Sequence, residues 1–128
     1  MTIEDQAGFD PRLAWASEGG TLLALVCPVL VVVDVLRFTT AVEVATTNGA
    51  QVIPGRWPVR EGPDGAGPAL SSLSPVSLLG VPAGTRVGLA SPNGATVSLA
   101  LADAGAVVLA GCLRNASAVA AAGHHPKP

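Results

Sequence analysis

The most pronounced apolar stretch of the chain covers residues 29–33, five consecutive valine or leucine residues. An uninterrupted run of this kind predicts a strand buried on both faces, as in a parallel sheet, and we expect it to extend to Val35. Apolar spacing and turn residues also predict helices at 37–47, 95–104 and 116–122, and strands at 51–53, 86–90 and 106–110. The repeated unit of strand, polar turn and helix predicts a single α/β domain over residues 1–128, layered α/β/α around a mostly parallel sheet.

Two segments are less regular. Gly19-Gly20 predicts a break, after which Thr21 would begin a short helix that ends before Pro28. Residues 55–72 are dominated by proline, glycine and serine, which predicts a flexible loop. One helical turn is predicted just beyond that loop, at 75–79.

Polar residues follow three of the predicted strands. The carboxyl ends of parallel strands share one edge of a sheet, so we expect these turns to meet in one crevice. Helix N-termini favour anions, and a guanidinium about 4 Å from a phosphate contributes about 4 kcal/mol at an effective dielectric of 20. The turns therefore predict an anion site that Mg²⁺ on Asp34 would complete. Its candidate residues are Asp34, Arg37, Ser91, Asn93, Arg114 and Asn115.

Each candidate residue also has a purely structural interpretation. Asp34 can cap a helix or pair with Arg37. Ser91-Pro92-Asn93-Gly94 is good turn chemistry in its own right. Asn115 can act as a cap without touching a ligand, and Arg114 can be an ordinary surface charge.

Composition narrows the function classes. Charged residues make up 12% of the chain and apolar residues 49%, which favours association with another copy or with a separate complementary chain. The net charge of −2 and the scarcity of aromatic residues argue against nucleic-acid binding. Cys27 and Cys112 lack metal spacing and are expected to be buried free thiols.

The sequence also predicts a location. The acidic start Met1–Gln6 lacks the basic region of a signal peptide, and the apolar run 21–33 is too short to span a bilayer. We therefore expect a cytoplasmic protein without membrane contact.

Four motifs, in this order along the chain, resemble those of the 2-phosphosulfolactate phosphatase (ComB-like) family. They are Val32–Thr40 with Asn48–Ala50 closing its helix, Leu73–Pro75, Ser91–Ala95 and Gly111–Val119. The resemblance implies a shortened version of that family's α/β fold, covering the N-terminal part.

The same resemblance implies an activity, the Mg²⁺-dependent hydrolysis of 2-phosphosulfolactate to 3-sulfolactate and phosphate, on the route to coenzyme M. By position, Asp34 and Arg37 would be catalytic, with Asp34 also the metal ligand. The substrate, a small phosphorylated acid, would be bound by Ser91, Asn93, Gly94 and Asn115, together with Arg114 from the residue pattern.

A second class of function stays open. The chain is about half as long as is usual in that family, and Ser91-Pro92 stands where the family has two threonines. A shortened, non-catalytic relative could serve as an anion-binding or oligomerisation module, or as one subunit of a split enzyme.

Overall fold

The computed structural model describes residues 6–8, 11–55 and 70–124. Within them lie four α-helices, α1 (Ala16–Ala24), α2 (Phe38–Thr47), α3 (Gly94–Asp103) and α4 (Ala116–Gly123), and four strands, β1 (Val29–Val33), β2 (Gln51–Gly55), β3 (Arg86–Ala90) and β4 (Val107–Gly111). Two short 3-10 helices cover Pro75–Leu78 and Leu113–Asn115. None of the helices in this described part has the length and apolar character needed to cross a membrane.

The strands pair in parallel, which confirms the mixed α/β fold class. They form two separate two-stranded sheets within the described ranges, β1 with β4 and β2 with β3. Helices α2 and α3 connect the two sheets by packing, since each helix contacts strands of both sheets.

Two clusters of buried apolar side chains stabilise this arrangement. The first surrounds α2 and β3 and consists of Phe38, Ala41, Val44, Ala45, Ala50, Leu78, Val87, Leu89 and Ala95. The second lies between α1, β1 and α3 and consists of Leu23, Leu30, Val32 and Leu101. Helix α3 contributes to both clusters and so links the two halves of the fold.

Strand β1 is not buried on both faces, contrary to the prediction from its composition. Leu30 and Val32 face the second cluster, whereas Val31 is 43% exposed and Val33 67% exposed. The cause is tertiary: α1 and α3 cover only one side of the β1–β4 sheet among the described residues. The strand also ends at Val33, two residues earlier than expected.

Helix α1 begins five residues before the position that Thr21 predicted, and it runs through Gly19-Gly20 without a break. Thr21 lies inside the helix and donates its hydroxyl hydrogen to the carbonyl of Ser17. The close packing of α1 on α3 explains why a glycine is placed here. A Cβ atom added to Gly20 would lie 2.7 Å from Cδ2 of Leu101.

Most of the predicted loop at 55–72 lies outside the described residues. At its two described ends, Gly55 belongs to β2, and Leu70 forms a parallel bridge with Gly88 of β3. The predicted helical turn is confirmed as the 3-10 helix Pro75–Leu78. It is tied to α2 by the Asn48 side chain, which donates to the carbonyls of Leu78 and Leu79.

Candidate functional site at the carboxyl ends of the strands

The loops that follow β1, β3 and β4 lie at the same end of the fold, but they do not share the edge of one sheet as the sequence predicted, because β3 belongs to a different sheet from β1 and β4. The register of the first sheet places Val33 opposite Gly111, so the loops after β1 and β4 start side by side. The loop after β3 reaches the same place through a hydrogen bond between residues 60 positions apart, in which the Gly94 N–H donates to Asp34 Oδ2 at 3.1 Å.

Two threonines fix the loop that carries Asp34. The backbone N–H of Asp34 donates to the Thr39 hydroxyl oxygen at 3.0 Å, and the Thr39 N–H donates to the Asp34 carbonyl at 2.9 Å. Thr40 donates its hydroxyl hydrogen to the Val35 carbonyl. Thr39 is completely buried, so these bonds lie in a low-dielectric environment that strengthens them. The first turn of α2 therefore fixes the backbone of Asp34, and the Gly94 N–H holds its carboxylate.

Gly94 allows the first and third loops to approach each other closely. A Cβ atom at this position would lie 2.5 Å from Cδ1 of Phe38 and 2.6 Å from Asp34 Oδ2. Only a residue without a side chain can donate its N–H to Asp34 from here. The contact explains a glycine at the start of α3 without requiring a ligand.

Ser91 caps the same helix. Its hydroxyl oxygen accepts a hydrogen bond from the Ala95 N–H at 2.9 Å, and its side chain is buried. Together with the bond from Gly94 to Asp34, this bond uses two of the N-terminal donors of α3 on protein oxygens. The hydrogen bonds of Ser91 thus show the structural role, in which it caps a helix. Substrate binding by Ser91 stays a prediction.

Asn115 has a comparable structural role in the loop after β4. Its Oδ1 accepts from the Cys112 N–H, and its Nδ2 donates to the Ala110 carbonyl, both at 2.9 Å. The side-chain amide thereby closes the turn between β4 and α4. Cys112 is buried, and neither it nor Cys27 forms a disulfide.

Three other candidate side chains are exposed at this end of the fold. Arg37 and Asn93 occupy the N-cap positions of α2 and α3 and form no side-chain cap hydrogen bond. Arg114 belongs to the 3-10 helix after β4 and is 55% exposed. These side chains place two guanidinium groups and one amide on the surface at the end of the fold that carries Asp34.

Glu43 is a residue of this region that the sequence reasoning missed. Its Oε2 accepts a hydrogen bond from Arg114 Nε at 2.6 Å, across 71 positions of the chain. Only 12% of its side chain is exposed. A glutamate in the middle of an amphipathic helix carries no local signal of such a partner.

Few protein ligands for a magnesium ion lie at this end of the fold among the described residues. Among the residues that the structure describes, no group of three or more His, Cys, Asp or Glu side chains is arranged to hold a metal. Asp34 Oδ1 has no hydrogen-bond partner in that part of the chain and fits as a single ligand, because Mg²⁺ commonly takes one or two carboxylates and fills its shell with water and phosphate oxygens. Both oxygens of Glu43 are already engaged.

Comparison of the chain with family models, with curated proteins and with solved structures finds no match. The resemblance to the phosphatase family therefore stays a prediction that rests on the four sequence motifs. What the structure adds is the common location of three of them, which carry the loops after β1, β3 and β4.

Proposed function

We propose that this chain is a Mg²⁺-dependent phosphatase that hydrolyses a small acidic phosphate monoester, with 2-phosphosulfolactate as the expected substrate. The observation that supports this function is that the three loops lie at one end of the fold. The Asp34 carboxylate lies at this end, where Arg37, Asn93 and Arg114 are exposed. Cations beside a phosphate outweigh helix dipoles, and a carboxylate among them suits a hydrated divalent ion.

The roles of the residues follow from their positions. Arg37 and Arg114 would bind the acidic groups of the substrate, because a guanidinium offers a planar fork of donors to oxyanions. Asn93 would add an amide donor. Asp34 would hold the ion, which when bound would offset charge on the phosphoryl group and help to activate water. The buried Thr39 keeps Asp34 in place.

The test is phosphate release from 2-phosphosulfolactate with and without Mg²⁺, for the wild-type chain and for Asp34→Asn. Asparagine keeps an oxygen that can accept from the Gly94 N–H, so the loop contact survives while the charge is lost. We expect turnover to fall by about 100-fold or more, the scale of losing a charged catalytic group. Glu18→Gln, a change at an exposed carboxylate on α1, serves as the matched control. Phosphate release that does not depend on Mg²⁺, or equal rates for the wild type and Asp34→Asn, would contradict the proposal.

A second candidate function is supported by the exposed face of the β1–β4 sheet. Val31, Val33 and Val107 all expose large parts of their side chains, and a group of apolar residues of this kind commonly marks a site of association. On this alternative the chain is a non-catalytic anion-binding or oligomerisation module, or a subunit that joins a separate complementary chain. Sedimentation velocity distinguishes a monomer from an oligomer, and retained folding without turnover would favour this function over the first.

The cytoplasm is the location that we propose for either function. Cys27 and Cys112 are both free thiols, as is usual for proteins of a reducing compartment. Expression with a periplasmic leader, followed by a thiol count on the recovered protein, would show whether an oxidising compartment is tolerated.

A further inference from the structure

The Glu43 side chain on α2 is held by two hydrogen bonds. Its Oε1 accepts a hydrogen bond from the Thr47 hydroxyl at 2.9 Å, and its Oε2 accepts from Arg114 Nε at 2.6 Å. With both oxygens bonded and 88% of the side chain buried, the carboxylate has a defined plane. A carboxylate that is removed from water to this extent needs a cation or donors nearby, and Arg114 supplies the cation.

Arg114 is bound to Glu43 by only one of its three nitrogens. A guanidinium has five N–H donors, of which Nε carries one and the two Nη groups carry four. Within the described ranges, the Nη groups of Arg114 have no hydrogen-bond partner, and the side chain is 55% exposed. Four donors of a fixed cation therefore stay available at the surface.

The location of this pair connects it with the candidate site. Arg114 lies three residues after Gly111, and Gly111 pairs with Val33, the residue that precedes Asp34. Glu43 lies on the helix whose first turn fixes the Asp34 loop. The pair therefore belongs to the same end of the fold as Asp34.

We propose that Glu43 is a positioning residue, which holds Arg114 by Nε so that the two Nη groups bind an oxyanion of the substrate. The identity of that substrate, a small phosphorylated acid, rests on the proposed phosphatase function. The binding of an oxyanion by Arg114 does not require turnover and can be measured separately.

Two other roles for Glu43 make different predictions. If Glu43 only competes with the ligand for Arg114, its removal by any substitution strengthens anion binding, because the arginine is released. If Glu43 is only structural, its substitution changes the stability and leaves anion affinity unchanged. Only the positioning role predicts that glutamine and leucine at position 43 differ in their effect on anion binding. Glutamine keeps an oxygen that accepts from Arg114 Nε, and leucine does not.

The experiment is calorimetric titration of inorganic phosphate, at low and constant ionic strength, into the wild-type chain and its variants. We expect Arg114→Lys to weaken binding by about 10-fold, because lysine has neither Nε nor the planar fork. Glu43→Leu should weaken it by about 5-fold to 10-fold, with no further loss when Arg114→Lys is added, which is the sign of coupled residues. Glu43→Gln should bind phosphate as well as the wild type or better, since it removes a negative charge near the ligand.

A matched pair of threonine variants tests the same anchor without touching a charge. Thr47→Val removes the hydroxyl that holds Glu43 Oε1, whereas the Thr46 hydroxyl donates only to backbone carbonyls of its own helix. We expect Thr47→Val to weaken phosphate binding about 2-fold and Thr46→Val to leave it unchanged, since single neutral hydrogen bonds contribute modestly. This pair and Arg114→Lys decide the question if Glu43→Leu does not fold, which circular dichroism would reveal.

The possible failures are distinguishable. Equal or tighter phosphate binding by folded Glu43→Leu, equal binding by Arg114→Lys, or no phosphate binding by the wild type would each overturn the role of Glu43. Phosphate binding with the expected pattern, but without hydrolysis of 2-phosphosulfolactate, would leave the positioning role standing and refute the phosphatase. If hydrolysis occurs, Glu43→Leu should raise KM and change kcat little.

Discussion

Strands β1 and β3, one from each sheet, differ in burial, and the difference is the reverse of what their compositions predict. Strand β1 is an unbroken run of valine and leucine, yet Val31 and Val33 are exposed. Strand β3 has the mixed sequence Arg86–Ala90, yet its three central residues are buried, and Leu89 is completely inaccessible to solvent. Helices α2 and α3 both pack against β3, whereas Val31 and Val33 of β1 lie outside both clusters of buried side chains. The comparison teaches that burial depends on the elements that cover a strand and not on the strand alone.

The largest difference in stability should appear when one side chain in each sheet is replaced by alanine and the two losses are compared. Leu89→Ala removes a buried side chain from the first cluster and should lower the free energy of unfolding by about 2–5 kcal/mol. Val33→Ala removes an exposed side chain and should change it by about 0.5 kcal/mol or less. Urea unfolding measures both values. Equal losses would show that the two faces are buried alike.

The next effect concerns the contact between the two halves at the candidate site. Gly94→Ala inserts a Cβ between Phe38 and Asp34, where it would lie within 2.6 Å of both. Such overpacking should cost about 1–3 kcal/mol of unfolding free energy. Gly80→Ala is the control, since a Cβ at that position meets nothing within 4 Å. Thermal unfolding compares the two variants, and a tolerated Gly94→Ala would refute the close approach.

A smaller loss is expected from the helix cap on the β3 side. Ser91→Ala removes the buried oxygen that accepts from the Ala95 N–H and should lower the unfolding free energy by about 0.5–2 kcal/mol. Ser117→Ala changes an exposed hydroxyl of α4 and should have almost no effect. Chemical denaturation of both variants is the measurement. If Ser91→Ala is as stable as the wild type, the cap contributes little.

The smallest change in stability should follow from making the exposed face of β1 polar. Val31→Thr combined with Val33→Thr keeps β-branched shapes and should alter the unfolding free energy by about 0.5 kcal/mol or less per site. If this face mediates association, sedimentation velocity should show a shift toward the monomer. Val87→Thr, at a buried position of β3, is the contrasting variant and should destabilise the fold more strongly. A strong destabilisation by the β1 variant would show that its face is covered.

The sequence was sufficient for most of the local structure, apart from the start of α1 and the end of β1, and insufficient for the side-chain contacts of the candidate site. It predicted β3 at residues 86–90 and α2 within one residue of its observed start, since hydrophobic periodicity is a local property. It also predicted that the loops with Asp34 and Gly94 would meet. It did not predict Glu43 as the partner of Arg114, because two residues 71 positions apart share no local pattern.

By itself, then, the sequence determined where most of the strands and helices lie, and that three polar turns follow the strands. Periodicity and turn chemistry act over a few residues and need no knowledge of the rest of the chain. Only the tertiary structure decided which face of β1 is covered, that α1 continues through Gly20, and that Asp34 and Ser91 accept hydrogen bonds from the first turn of α3. These outcomes depend on which elements pack together, and packing is a property of the whole fold.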